Sequence, residues 1–169
     1  NLGTGIESIG GYAFSNCGSL TSAIWGSRLS VIGDRAFQKT ALTSVVLPEA
    51  LTELGGGAFY QCTSLRKVAF GNSLTTIPSS CFENCSSLSS IVWSGSVTTI
   101  DSYAFQKCIS LTSVSIPDSV TTIGYEAFDG CSSLKEIYTG NGVTKIGGYA
   151  FGNCISLEKI VLSYYLSVV

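Results

Sequence analysis

The sequence contains no histidine. Histidine is the commonest metal ligand and the side chain that moves protons near neutral pH, so its absence removes the usual metal site and the usual general base. Charge is scarce too. Only 12% of residues are charged, and nine basic against eleven acidic residues leave a net charge of −2. Phosphate-backbone binding requires a basic excess, so nucleic acid is not an expected partner. No apolar run approaches the ~18 residues of a transmembrane helix, and no basic then apolar leader opens the chain. The start at Asn1 rather than Met reads as a trimmed end. Apolar residues are abundant: they make up 45% of 169 residues, with 19 glycines and 7 cysteines, enough to bury the core of one domain.

One period organises the chain. Phe14, Phe37, Phe59, Phe82, Phe105, Phe128 and Phe151 stand 23, 22, 23, 23, 23 and 23 residues apart. Alanine precedes each except Phe82, where Cys81 takes its place. Five residues before each Phe stands Ile9, Ile32, Leu54, Ile77, Ile100, Ile123 or Ile146. A leucine follows each Phe, from Leu20 to Leu157, six residues on in every repeat but the second, where five suffice. That deletion lies between Phe37 and Leu42 and marks a tolerant surface turn.

After each leucine the apolar residues alternate, as in Leu111-Thr-Ser-Val114-Ser-Ile116, which is the period of a short strand. The Ala-Phe segment is flanked by Gly and Ser and predicts a helical turn or irregular bend. A lone repeat buries too little apolar surface to offset the entropy of ordering it, so neighbours must stack. The expected fold is a solenoid of about seven repeats, with short parallel strands on one face and turns or short helical bends on the other.

The segment Val120-Thr-Thr-Ile123-Gly-Tyr-Glu-Ala127-Phe128-Asp-Gly-Cys131-Ser-Ser-Leu134-Lys-Glu-Ile137 resembles the BspA-type, or Treponema pallidum-type, leucine-rich repeat. The resemblance covers nearly the whole chain. It implies a leucine-rich-repeat solenoid and a cell-surface or secreted protein of host-associated bacteria and some protists. Such proteins are often adhesins for extracellular-matrix proteins or other cells. It implies no catalytic group, and it transmits no ligand.

Six cysteines recur at one slot: Cys17, Cys62, Cys85, Cys108, Cys131 and Cys154, with Thr40 in the remaining repeat. Only Cys81 and Cys85 stand at metal-site spacing, and no second such pair accompanies them, so neither a metal nor any other cofactor is expected. Strands stacked ~4.8 Å apart hold column-mates beyond disulfide reach, and the column is expected to be buried reduced thiols. Cys81 reads as a small core residue. Asp34, Asp101 and Glu126 read as a solvated edge.

The outward strand column Ile24, Val46, Ala69, Val92, Ser115, Tyr138 and Val161 is unusually apolar. Its neighbours Ser22, Ser44, Lys67, Ser90, Ser113, Glu136, Lys159 and Gly26, Pro48, Gly71, Ser94, Pro117, Gly140, Ser163 are small or polar. A contiguous apolar patch marks partner sites, whereas β-branched residues also serve local strand packing. Ile24, Val46, Val92, Tyr138 and Val161 are the candidate binding residues, with Tyr138 as anchor. The expected function is non-enzymatic recognition or adhesion of a protein or glycan through this face. The alternative is a structural subunit packed permanently in an assembly, with end-to-end contacts. Leu166 and Val169 keep the spacing of Val143 and Ile146, so an eighth repeat is expected to begin there and residues 1–169 to be part of a longer array.

Overall fold

The computed structural model describes residues 5–162. The expected start of an eighth repeat, at Leu166 and Val169, and Ser163 of the outward column lie outside them. Every turn of the coil but the first holds two short strands rather than the one anticipated. Two-residue strands carry the Ile column: β1 (Ser8–Ile9), β2 (Val31–Ile32), β4 (Glu53–Leu54), β6 (Thr76–Ile77), β8 (Thr99–Ile100), β10 (Thr122–Ile123) and β12 (Lys145–Ile146). Three-residue strands follow the leucine: β3 (Ser44–Val46), β5 (Lys67–Ala69), β7 (Ser90–Val92), β9 (Ser113–Ser115), β11 (Glu136–Tyr138) and β13 (Lys159–Val161). All pairings between successive turns are parallel, giving a β-solenoid.

The bend is not helical. Two residues of every turn, two before and two after the Phe, have positive φ: Gly57 and Gln61 in one turn, Tyr103 and Lys107 in another. The left-handed conformation is easiest for Gly and Asn, and Gly57, Gly130, Asn16, Asn84 and Asn153 fill five of these slots. Elsewhere the stack imposes the same shape on Tyr, Arg, Lys and Glu. Stacking satisfies the backbone there, because successive turns are hydrogen bonded along the bend: Phe82 N donates to Ala104 O at 2.8 Å, Phe105 N to Ala127 O at 2.8 Å and Asn84 N to Gln106 O at 2.8 Å.

Inside, the seven phenylalanines of the repeat column form one stack, with ring centroids of successive members 5.0 to 5.6 Å apart and planes within 15°. The Ala, Ile, Val and Leu columns bury around it. Offset stacks of this spacing add attraction beyond the area buried.

The strand ladders are interrupted twice, at different turns. The two-residue strands form sheets β1-β2-β4 and β6-β8-β10-β12, and the three-residue strands form β3-β5-β7 and β9-β11-β13. Between β4 and β6 the cause is Pro78. In this slot Gly33, Gly55, Asp101, Gly124 and Gly147 donate to the preceding turn at 2.7 to 2.9 Å, and proline has no N–H to give. Between β7 and β9 the cause is Trp93. The same inward slot holds Leu47, Phe70, Ile116 and Thr139, whose amides donate to the next turn at 2.8 to 3.0 Å. The Trp93 amide has no such bond, and neither does that of Trp25, the other tryptophan of this slot. Each indole packs edge-on against the Phe of the following turn, Trp25 on Phe37 and Trp93 on Phe105. The larger ring occupies the space where the next strand would close. Residues 22–24 therefore form no strand, and the inward Ala23 and Ile91 of the tryptophan turns are half-buried where Val45, Val68, Val114 and Ile137 are buried.

Candidate functional site

The outward column is placed as follows. Register puts Val46, Ala69 and Val92 side by side on β3-β5-β7, and Ser115, Tyr138 and Val161 side by side on β9-β11-β13. Val46 is 61% exposed, Val92 45% and Val161 43%. Ile24 is exposed as well but stands outside any strand, because Trp25 follows it. The column is thus two apolar rows separated at the β7–β9 interruption, with Ile24 to one side, rather than one continuous stripe. The Gly26-to-Gly140 column is not part of the open face: Gly26, Gly71 and Ser94 are buried, and a Cβ on Gly71 would lie 2.4 Å from Pro48 O.

Tyr138 is half-buried and anchored. Its hydroxyl donates to Glu136 Oε2 at 2.9 Å and accepts from Lys159 Nζ at 3.1 Å. The Lys159 ammonium also lies 5.0 Å from the ring centroid, a cation–π contact. The hydrogen bond to Tyr138 raises the Lys159 pKa above its ordinary value. The ring is thereby held by its own sheet, which lowers the entropy lost when a partner covers it.

All seven cysteines are free thiols, and only Cys17 is exposed. The column does more than fill space. Each buried thiol donates to a Phe carbonyl of the preceding turn: Cys62 to Phe37 at 3.1 Å, Cys85 to Phe59 and Cys108 to Phe82 at 3.2 Å, Cys131 to Phe105 at 3.3 Å and Cys154 to Phe128 at 3.4 Å. Thr40, in the same slot, bonds instead within its own turn, donating to Phe37 O at 2.9 Å. Burial raises the pKa of Cys62, Cys85, Cys108, Cys131 and Cys154, which makes them poor nucleophiles. Among the described residues no cluster of three His, Cys, Asp or Glu side chains is placed to hold a metal. The edge carboxylates tie turns or backbone together: Asp34 accepts from Gly56 N at 2.7 Å, Asp101 from Ser102 N at 3.0 Å and Glu126 from Gln106 Nε2 at 2.6 Å.

Sequence reasoning missed a second aromatic surface, on the bend. Tyr103, Tyr125 and Tyr149 form a T-shaped series with centroids 5.6 and 6.2 Å apart. Tyr149 is 71% exposed. The hydrogen bond to Glu126 pushes the Tyr125 pKa up to about 12. Tyr125 comes from the column next to that of Tyr103 and Tyr149, so no single column displays the three together.

The sequence matches the BspA type leucine rich repeat region in six copies, over residues 1–112 and 98–169. The chain belongs to this leucine-rich-repeat family. Among solved structures it is similar to a leucine-rich-repeat protein of Treponema pallidum, at 34% identity and a TM-score of 0.69, over 71% of this chain and 58% of that one. It is similar to a leucine-rich repeat protein of Bacteroides ovatus at 23% identity and a TM-score of 0.67, over 99% and 67% of the two chains. A leucine rich cell surface protein of Faecalibacterium prausnitzii matches at 26% identity and a TM-score of 0.52, over 94% and 57%. The chain thus spans 57 to 67% of the length of these three relatives. No curated protein matches the sequence. Repeat proteins of this family typically mediate protein interactions. Among the described residues no helix is long and apolar enough to cross a membrane.

Proposed function

We propose that the chain is a non-enzymatic recognition module that binds a protein of the extracellular matrix or of another cell surface through the face of its three-residue strands. The observation that carries this reading is the in-register row of exposed Val46, half-buried Ala69 and exposed Val92, continued past the interruption by Tyr138 and Val161, with Ile24 at the flank. Exposed β-branched side chains in one row form a surface already ordered before contact, and a tethered tyrosine supplies the aromatic anchor that hot spots favour. An extracellular or cell-surface location is supported by the Faecalibacterium relative, itself called a cell surface protein.

The test is surface plasmon resonance of the immobilised chain against a panel of purified extracellular-matrix proteins. For any matrix protein bound by the wild type, the double variant Tyr138→Ser, Val92→Ser is expected to lose at least about tenfold in affinity, or ~1.4 kcal/mol, while the melting temperature falls by no more than a few degrees. Unchanged affinity sinks the sheet-face assignment. Concentration-dependent self-association by light scattering, with no matrix protein bound, would favour a subunit of a permanent assembly.

A further inference from the structure

The interruption between β7 and β9 leaves a cleft of about 280 Å³. It is a wedge, open only at these strands. Behind it the same two turns remain closed: β6 pairs with β8, Phe82 stacks on Phe105 at 5.3 Å, and Ser110 Oγ donates to Ser86 O at 2.6 Å. The hydroxyl-bearing Ser89, Ser90, Ser113 and Ser115 are exposed at its mouth, whereas Ile91 and Trp93 line it as half-buried apolar residues. No charged side chain lines it. Across the cleft no backbone hydrogen bond joins β7 to β9 among the described residues, so each presents a free strand edge to the opening.

We propose that this cleft is a subsite for one neutral sugar ring of a glycan. A pyranose has an apolar C–H face and a girdle of hydroxyls, and the cleft pairs an indole and an aliphatic side chain with serine hydroxyls and free backbone N–H and C=O groups. The volume is at the small end for ligand sites and suits one ring rather than an extended molecule. An anion has no Lys or Arg here to meet it. The β4–β6 interruption opens a comparable cleft, but it is lined by Glu53 and lacks an aromatic wall. The sugar subsite is distinct from the apolar rows assigned to protein binding, and it stands or falls separately from them.

The test is a titration of the full ¹⁵N-labelled chain, followed by amide and indole N–H shifts. The probes are the methyl β-glycosides of glucose, galactose and N-acetylglucosamine, with N-acetylneuraminic acid and an uncharged acetylated hexapeptide as comparators. At least one neutral glycoside is expected to shift Ser113, Ser115 and the Trp93 indole saturably, and neither comparator is. Trp93→Leu places in the slot the residue that Leu47 already shows to be compatible with a closed ladder. It is expected to weaken the glycoside by at least about tenfold and to protect the Ser113 amide from exchange, with Trp25→Leu leaving affinity unchanged. Should Trp93→Leu fail to fold, Ser90→Val with Ser113→Val fills the mouth and is expected to give the same loss. No saturable shift at the cleft with any neutral glycoside, a response to the hexapeptide or the anionic sugar alone, or affinity unaffected by the variants would overturn the proposal.

Discussion

The indole of Trp93 meets the ring of Phe105 edge-on, with centroids 5.8 Å apart. That contact lies between two consecutive turns whose phenylalanines stay stacked while their outer strands part. Phe70, one turn earlier, makes the equivalent edge contact with Phe82 at 5.9 Å and leaves its ladder closed. Ring size in one inward slot therefore decides whether neighbouring strands pair. The stack tolerates each interruption because the ladders, the bend hydrogen bonds and the Phe column are separate lines, and no two ladders open between the same pair of turns.

Phe105 is fully buried between Phe82 and Phe128. Its replacement by Ala leaves a cavity flanked by two rigid rings that cannot collapse into it. Phe105→Ala is expected to destabilise the fold by about 3–5 kcal/mol, measured by urea unfolding. A change below about 1 kcal/mol would mean that the stack carries little of the stability.

After β10, close approach to the preceding turn requires glycine. A Cβ on Gly124 would lie 2.6 Å from Asp101 C and Ser102 N, both backbone atoms. Gly124→Val is expected to lower stability by about 1–3 kcal/mol, whereas Gly95→Ala, with nothing within 4 Å, is expected to be nearly neutral. Equal effects at both positions would contradict the packing described.

The buried thiols make stability depend on alkaline pH. Burial raises the Cys154 pKa from 9.0 to about 11, so the folded chain keeps a proton that the unfolded chain releases near the ordinary value. Below that value the two states bind the same number of protons and the stability is fully present. As pH rises from about 9 towards 11 the unfolded state is favoured and stability falls, with Cys85, Cys108 and Cys131 adding in the same direction. Melting temperatures between pH 8 and 10 are expected to decline, and to decline less in Cys108→Ala. Below pH 8.5 a disulfide-exchange reagent is expected to titrate Cys17 alone in the native chain. Rapid reaction of several thiols would contradict their burial.

Tyr138→Phe removes the hydroxyl that links Glu136 to Lys159 and keeps the ring. Because these groups are partly or fully exposed, the loss of stability is expected to stay below about 1 kcal/mol. The Lys159 pKa, read by NMR, is expected to move down towards its ordinary value, since the bond to Tyr138 is the main cause that raises it. An unmoved Lys159 would show that the contact is not populated.

The repeat was legible because the stack demands the same residue type at the same slot in every turn. Phe, Ala, Ile and Cys recur where the coil buries them, and the outward alternation around Val45, Val68 and Val114 was readable from strand period alone. The interruptions were not, because Trp25 and Trp93 satisfy the apolar pattern of their slot and differ from Leu47 or Ile116 only in size. Polarity patterns carry no volume. Pro78 did carry a signal, a missing N–H, but the ladder it breaks belongs to a second strand per turn that two residues cannot announce by periodicity. The left-handed bend was hidden for a similar reason: Gly57 and Asn84 suggest it, whereas Tyr103, Lys107 and Glu126 adopt it under the constraint of their neighbours. Of the candidate face, Val46, Val92 and Val161 stand exposed as expected, Tyr138 is half-buried beneath a lysine, and Ile24 sits off the sheet.

Residue-resolved amide hydrogen exchange of the full chain measures the interrupted stack most directly. The backbone N–H groups of Leu47, Phe70, Ile116 and Thr139 are expected to be protected by their bonds to the next turn, and those of Trp25 and Trp93, in the same slot, to exchange much faster. Equal protection across all six would mean that the ladder runs unbroken past the tryptophans, and would contradict both the two-sheet face and the cleft between β7 and β9.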